Sequence, residues 1–229
     1  MMKKIINGTI IVLSTILIGF VMIFSVIPNI VLNVKVTIGG FAIPTFIIII
    51  TMIVQIKKSK DIQEKSKIRN FWLKALFIIY CLLLITILFL NNEYRMGGFQ
   101  NISTFSREHL ETSNFIPFAT IIGYVSGMVS NDINTGIVII NLVTNLLLFA
   151  PMGFFIPMLF QDKIKNTKQF LIIIIILTFL VEIIQFITYR GSTDIDDIIL
   201  NTIGASIVYI LMKTKVVEKL LEKAIDITS

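Results

Sequence analysis

The chain has little with which to build a soluble enzyme. Of its 229 residues one is cysteine, one histidine and one tryptophan, and 15% are charged. Cys81 alone cannot close an intrachain disulfide. His109 stands in a polar stretch with no cysteine or second histidine near it, so it reads as solvated surface and not as a zinc ligand. No HExxH, GxSxG or P-loop pattern occurs, which removes the recognised catalytic motifs. Against the scarcity of charge stands a hydrophobic content of 55% and a mean hydropathy of +0.90. A soluble domain cannot hide that much apolar surface, so lipid is the solvent. The net charge of +6 sits in segments between apolar runs and forms no basic patch. That distribution fits anionic headgroups and excludes nucleic acid as a partner.

What is there is a series of apolar runs. The spacing predicts spans at 5–27, about 38–56, 71–90, about 136–160, 170–189 and about 195–212. The first follows MMKK and is too long for a signal-peptide core, so it reads as a retained transmembrane helix. Trp72 and Tyr94 are expected at the two membrane interfaces. The weakly apolar piece 118–129 is too short to span and reads as a re-entrant or interfacial helix. The tail places Val216, Val217, Leu220, Leu221 and Ala224 on one face, opposite Lys215, Lys219 and Lys223, as an inner-leaflet surface helix would. The expected architecture is all-α, a polytopic transmembrane bundle of about six spans. Residues 1–70 form a two-helix membrane leader with a cytoplasmic loop, 71–212 a membrane domain, and 213–229 a cytoplasmic amphipathic tail. With the N-terminus inside, sixteen of the twenty lysines and arginines fall on the cytoplasmic side, and both termini are cytoplasmic.

The stretch 182–204, EIIQFITYRGSTDIDDIILNTIG, is polar between two apolar helices. An ionisable group inside a membrane segment costs about 2.5–3.5 kcal/mol near the bilayer centre on insertion scales. At the rise of a helix, Asn141 and Asn145 lie about 7 and 13 Å below the outer surface, Glu182 and Gln185 about 10 and 6 Å, and Asp197 and Asn201 about 3 and 9 Å. Asn141 and Asn145 share a face, as do Glu182, Gln185 and Tyr189, and Asp194, Asp197, Asn201 and Gly204. Turned toward one another, the stripes make an outward-facing polar pocket of Asn141, Asn145, Glu182, Gln185, Arg190, Asp194, Asp197 and Asn201. The plainer readings are interhelical hydrogen bonding for the asparagines, N-capping for Asp194, helix-dipole placement for Asp197 and snorkelling for Arg190. Glu182 lies too deep to snorkel and has the weakest plain reading.

Asn141-x3-Asn145-x3-Phe149-x-Pro151-x-Gly153-x3-Pro157, then Glu182-x2-Gln185, Arg190 and Asp194-x2-Asp197-x3-Asn201-x2-Gly204, resemble the VanZ-like family. Upstream, Asn114-Phe115-Ile116-Pro117-Phe118 resembles that family's loop motif, and the resemblance covers about residues 71–212. It implies a multi-pass protein of the bacterial cytoplasmic membrane, in a family whose namesake lowers susceptibility to the glycopeptide antibiotic teicoplanin. The expected partners are a membrane lipid and a cell-wall precursor or glycopeptide antibiotic. The expected activity is modulation of glycopeptide susceptibility through the polar pocket. The alternative is an intramembrane enzyme acting on a phosphate-bearing envelope lipid, with Glu182 as general acid/base and Asp194 and Asp197 as the pair that would hold Mg²⁺. No cofactor is implied.

Overall fold

Isoleucine runs such as Ile172–Ile176 have the side chains of β-strands in water. In hydrocarbon no water is present to satisfy a sheet edge, and only a helix pairs every backbone group within its own segment. The computed structural model of the chain, which describes residues 2–27, 34–90, 113–188 and 193–225, accordingly is all-α. The described helices are α1 (Met2–Val26), α2 (Val34–Lys58), α3 (Ile62–Ile85), α4 (Ala119–Val129), α5 (Thr135–Leu148), α6 (Met152–Leu159), α7 (Thr167–Thr188), α8 (Ile195–Met212) and α9 (Lys215–Ile225). A π-helical turn, Thr86–Leu90, continues α3. Six helical stretches among the described residues are long and apolar enough to cross a membrane: Ile6–Val26, Lys35–Lys58, Ile62–Leu90, Thr135–Leu159, Thr167–Thr188 and Ile195–Met212. The protein is a multi-pass membrane protein. Two compact units divide it, Met1–Arg95 with Glu218–Ser229, and Met96–Val217.

In the first unit α2 packs against both α1 and α3. The lysine-rich segment 57–70, expected as a cytoplasmic loop, is mostly helix. Only 59–61 separates α2 from α3, because Asp61 caps α3 by accepting from the backbone N–H groups of Gln63 and Glu64. Trp72, expected at an interface, is fully buried. Its Nε1 donates to Gln55 Oε1 at 3.1 Å, and Gln55 Nε2 donates to Asn7 Oδ1 at 2.7 Å. One relay of polar side chains, buried at Trp72 and Gln55 and half-buried at Asn7, thus ties α1, α2 and α3 together.

In the second unit α8 is the central post, packed by α5, α6 and α7. The α5–α6 span is broken at 149–151, where Pro151 has no N–H to continue the ladder and three-residue turns carry the chain past it. Close approach to α8 is made through two glycines. A Cβ on Gly204 would lie 1.7 Å from the Leu146 carbonyl oxygen of α5, and one on Gly153 would lie 2.2 Å from the Ala205 carbonyl oxygen. Further along, the Phe170 ring of α7 stacks on Tyr209 of α8 at 4.0 Å, and Lys213 Nζ sits over the Tyr209 ring, 4.3 Å from its centroid. On α7 the buried residues Phe170, Ile174, Thr178 and Glu182 recur every four positions, while Ile172, Ile175, Ile176 and Phe179 are exposed. Glu182 therefore ends the inward stripe of its helix.

Candidate functional site

The polar residues of α8 stand at its N-terminus, where four backbone N–H groups of any helix lack intrahelical acceptors. Asp194 is the N-cap, and its Oδ1 accepts from the Asp196 backbone N–H at 2.9 Å. The backbone N–H of Asp194 in turn donates to Glu182 Oε2 at 3.1 Å. Glu182 thereby fixes the start of α8 against the end of α7, and both carboxyl groups are buried. On the neighbouring face Asn145 Nδ2 of α5 donates to Asp197 Oδ1.

The loop motif at 114–118 is docked onto the same helix end. Asn114 makes a parallel two-residue bridge with Asp194: its N–H donates to the Thr193 carbonyl at 2.9 Å, and its carbonyl accepts from the Ile195 N–H at 3.0 Å. The Asn114 amide donates to Asp194 Oδ1 at 2.9 Å and to Thr120 Oγ1 at 3.0 Å, while its Oδ1 accepts from the Ile116 N–H. Phe118 then takes a left-handed conformation, φ 68°, which costs a residue with a Cβ about 1–2 kcal/mol. That turn aims the N-terminus of α4 at Asp196. α4 has no capping side chain or first-turn acid of its own. Asp196, 1% exposed, supplies the acceptor instead: one oxygen accepts from the Phe118 N–H, the other from those of Thr120 and Ile121 at 2.9 and 3.0 Å. Asp196 is the residue that sequence reasoning missed as part of the site. The usable signal was a helix start at 119 with no cap of its own, and a third acid at the start of α8 beyond those its own amides need.

The structure brings Asn145, Glu182, Asp194 and Asp197 into these contacts, and Asn201 follows farther along α8. Asn201 lies one turn along α8 from Asp197 and one turn before Gly204, on the face turned to α5. It is 5% exposed, and its Oδ1 has no hydrogen-bond partner among the described residues. A buried acceptor left unpaired costs about 1–3 kcal/mol. Asn141 does not join the cluster. It donates to the Tyr124 hydroxyl of α4 at 3.1 Å and holds that helix from its second turn. Depth counted along each helix separated Asn145 from Asp197 by about 10 Å. Their hydrogen bond nonetheless joins the two side chains, while farther along α8 the Gly204 backbone meets the Leu146 carbonyl of α5, so the two helices cross and are not in simple register. Gln185 is half-buried one turn beyond Glu182. Arg190 lies outside the described residues. Among the described residues no group of three or more His, Cys, Asp or Glu is arranged to hold a metal ion, and the suggested Asp194–Asp197 pair is engaged with amide donors.

A model of the VanZ/LLP1 family matches residues 77–217, more than half of the chain. The chain belongs to the VanZ/LLP1 family. Protein VanZ of Enterococcus faecium is 38% identical over 63 residues, which cover 28% of this chain and 38% of that protein. The alignment therefore spans little more than a third of the relative. No solved structure matches the chain. The VanZ/LLP1 match takes in α4 to α8 whole, and with them every described residue of the polar cluster. It begins inside α3, so α1 and α2 stand outside it.

Proposed function

We propose that this VanZ/LLP1 protein of the bacterial cytoplasmic membrane modulates susceptibility to teicoplanin-type glycopeptides by binding an envelope ligand at the head of α8. The ligand is an outer-leaflet lipid, a cell-wall precursor or the antibiotic itself. Both termini are cytoplasmic, so the α7–α8 connection and α4 lie on the outer side, where such ligands are met. The observation that carries the reading is the vacant acceptor of Asn201. The carboxyl groups of Glu182 and Asp196 at the head of α8 are engaged with the backbone of Asp194 and with α4, yet this oxygen, one turn beyond Asp197, is buried without a partner among the described residues. Thr193 Oγ1 and Thr202 Oγ1 of the same helix end are likewise buried without a partner among the described residues, and such atoms are groups that a ligand can complete. The family relationship supports the same conclusion, since the matched region is the one that holds the cluster.

The test is a susceptibility assay in a glycopeptide-sensitive Gram-positive host expressing the full chain. Glu182→Gln keeps an oxygen for the Asp194 N–H and matches the carboxyl group in size, so the helix junction survives. We expect it to abolish the shift in teicoplanin susceptibility at unchanged abundance in the membrane. A variant that is as protective as the parent would reduce Glu182 to a structural support and remove it from the proposed site.

A further inference from the structure

We infer that the face where α7 begins and α8 ends docks on anionic phospholipid, with α9 lying along the leaflet surface beside it. The inference goes beyond the binding reading above and takes from it only that the termini face the cytoplasm. Two contacts clasp α7 and α8 at this face. Lys213 Nζ donates to Thr167 Oγ1 at 3.4 Å, and it covers the Tyr209 ring that stacks on Phe170. The clasp joins the α6–α7 connection to the α8–α9 turn. The first, with the opening turn of α7, carries Lys163, Lys165 and Lys168, and the second Lys213 and Lys215. All five are exposed, and Asp162 is the one acid in those two segments. Positive charge gathered at the end of two spans is attracted by an anionic headgroup layer, whose potential reaches about 8–10 Å at ordinary salt. The other end of α7 and α8 holds four carboxyl groups and repels such a layer.

α9 supplies the apolar half of the contact. α8 stops at Met212, and the turn to α9 uses only Lys213 and Thr214. Their N–H groups donate to the carbonyls of Ile210 and Leu211 at 3.1 and 3.0 Å, and Thr214 Oγ1 accepts from the Val217 N–H at 3.4 Å. α9 therefore starts at the edge of the hydrocarbon, directly after Ile210 and Leu211, which are exposed on the last turn of a span. On α9 Val216 and Leu220 stand at i and i+4, 69% and 60% exposed. Lys215 and Lys219 line the adjoining face at the same spacing, and Glu218 lies on the opposite side. In water that apolar pair would stay uncovered. On a leaflet it is covered, and the flanking lysines lay their stems along the apolar surface and reach headgroup phosphates. Two side chains are a small apolar anchor, so docking depends on the charge of the layer as well.

The test uses the full chain in a Cys81-free background, spin-labelled at Leu220→Cys or at Glu218→Cys. Nanodiscs, which leave both faces open, are made of dioleoyl phosphatidylcholine alone or of an equimolar mixture with dioleoyl phosphatidylglycerol. Collision of the label with a neutral, water-soluble nickel chelate reports its exposure. We expect the label of Leu220→Cys to be about fivefold less accessible in the anionic discs than in phosphatidylcholine, the factor that one lysine near such a surface supplies. The label of Glu218→Cys should stay accessible in both. Lys163→Gln, Lys165→Gln and Lys168→Gln, made together, should remove most of the difference between the two discs, since they belong to the same face. Should the label unseat Leu220, Val216→Cys repeats the measurement on the same stripe. Equal accessibility of Leu220→Cys in the two discs would overturn the inference, and protection in both would assign the stripe to a protein contact such as a second copy. A lipid difference that survives the loss of all three lysines would overturn the shared face. None of these outcomes bears on the susceptibility test of Glu182→Gln, so the two readings fail separately.

Discussion

Asp196→Asn tests whether α4 is held in place by one carboxylate. In the parent chain the two oxygens accept three backbone N–H groups from Phe118, Thr120 and Ile121. The amide of asparagine keeps one oxygen and turns an NH₂ group toward the remaining donors. Its best orientation saves the Thr120 and Ile121 bonds and sets a donor against the Phe118 N–H. Loss of one charge-assisted bond is worth about 1.5–3 kcal/mol, and the opposed donors raise the total to about 2–4 kcal/mol. α4 buries none of its residues completely, so little apolar packing is available to absorb that loss. The cost should therefore appear as local undocking of α4 and not as unfolding of the bundle. Hydrogen–deuterium exchange of the protein in nanodiscs is the assay. At about 1.4 kcal/mol per decade, amides in 118–129 should exchange about 30- to 1000-fold faster, while α7 and α8 interiors stay protected. Unchanged exchange in 118–129 would refute the capping argument. Acceleration spread evenly over α5, α7 and α8 would refute the claim that α4 is a separable element.

Gly204→Ala should cost about 3 kcal/mol or more in thermal unfolding, since the new methyl meets the Leu146 carbonyl backbone, whereas Gly19→Ala, with nothing within 4 Å, should be neutral. Trp72→Phe leaves Gln55 Oε1 buried without its donor and should lower stability by about 1–3 kcal/mol, read as a fall in melting temperature. In a Cys81-free background, cysteine at Lys60, in the exposed α2–α3 turn, should resist an impermeant thiol reagent in intact cells, while cysteine at Ser103 should react. Labelling in the reverse pattern would invert the proposed orientation and move the head of α8 to the cytoplasmic side.

The six spans, their approximate limits and the family were legible in the sequence because lipid imposes a simple rule on the backbone. Any run of about twenty apolar residues must close its hydrogen bonds within itself, and a helix does so whatever its neighbours are. The same rule made Glu182, Asp197 and Asn201 conspicuous, because a polar group is expensive in such a run. Tertiary structure decided which of those groups meet. Asp196 sits beside two acids that point elsewhere, and its partners lie more than seventy residues earlier in the chain, beyond the reach of any helical period. Asn141 and Asn145 share one face, yet one meets Tyr124 of α4 and the other Asp197 of α8, because two different helices pack along that face. Trp72 carries the residue type of an interface and occupies a core position, since Gln55 stands opposite it on α2. Periodicity tells which side of a helix is polar. The level and the partner are set by how far each helix slides along its neighbours, and here that is fixed by the backbone contacts of Gly204 and Gly153 with α5 and α8.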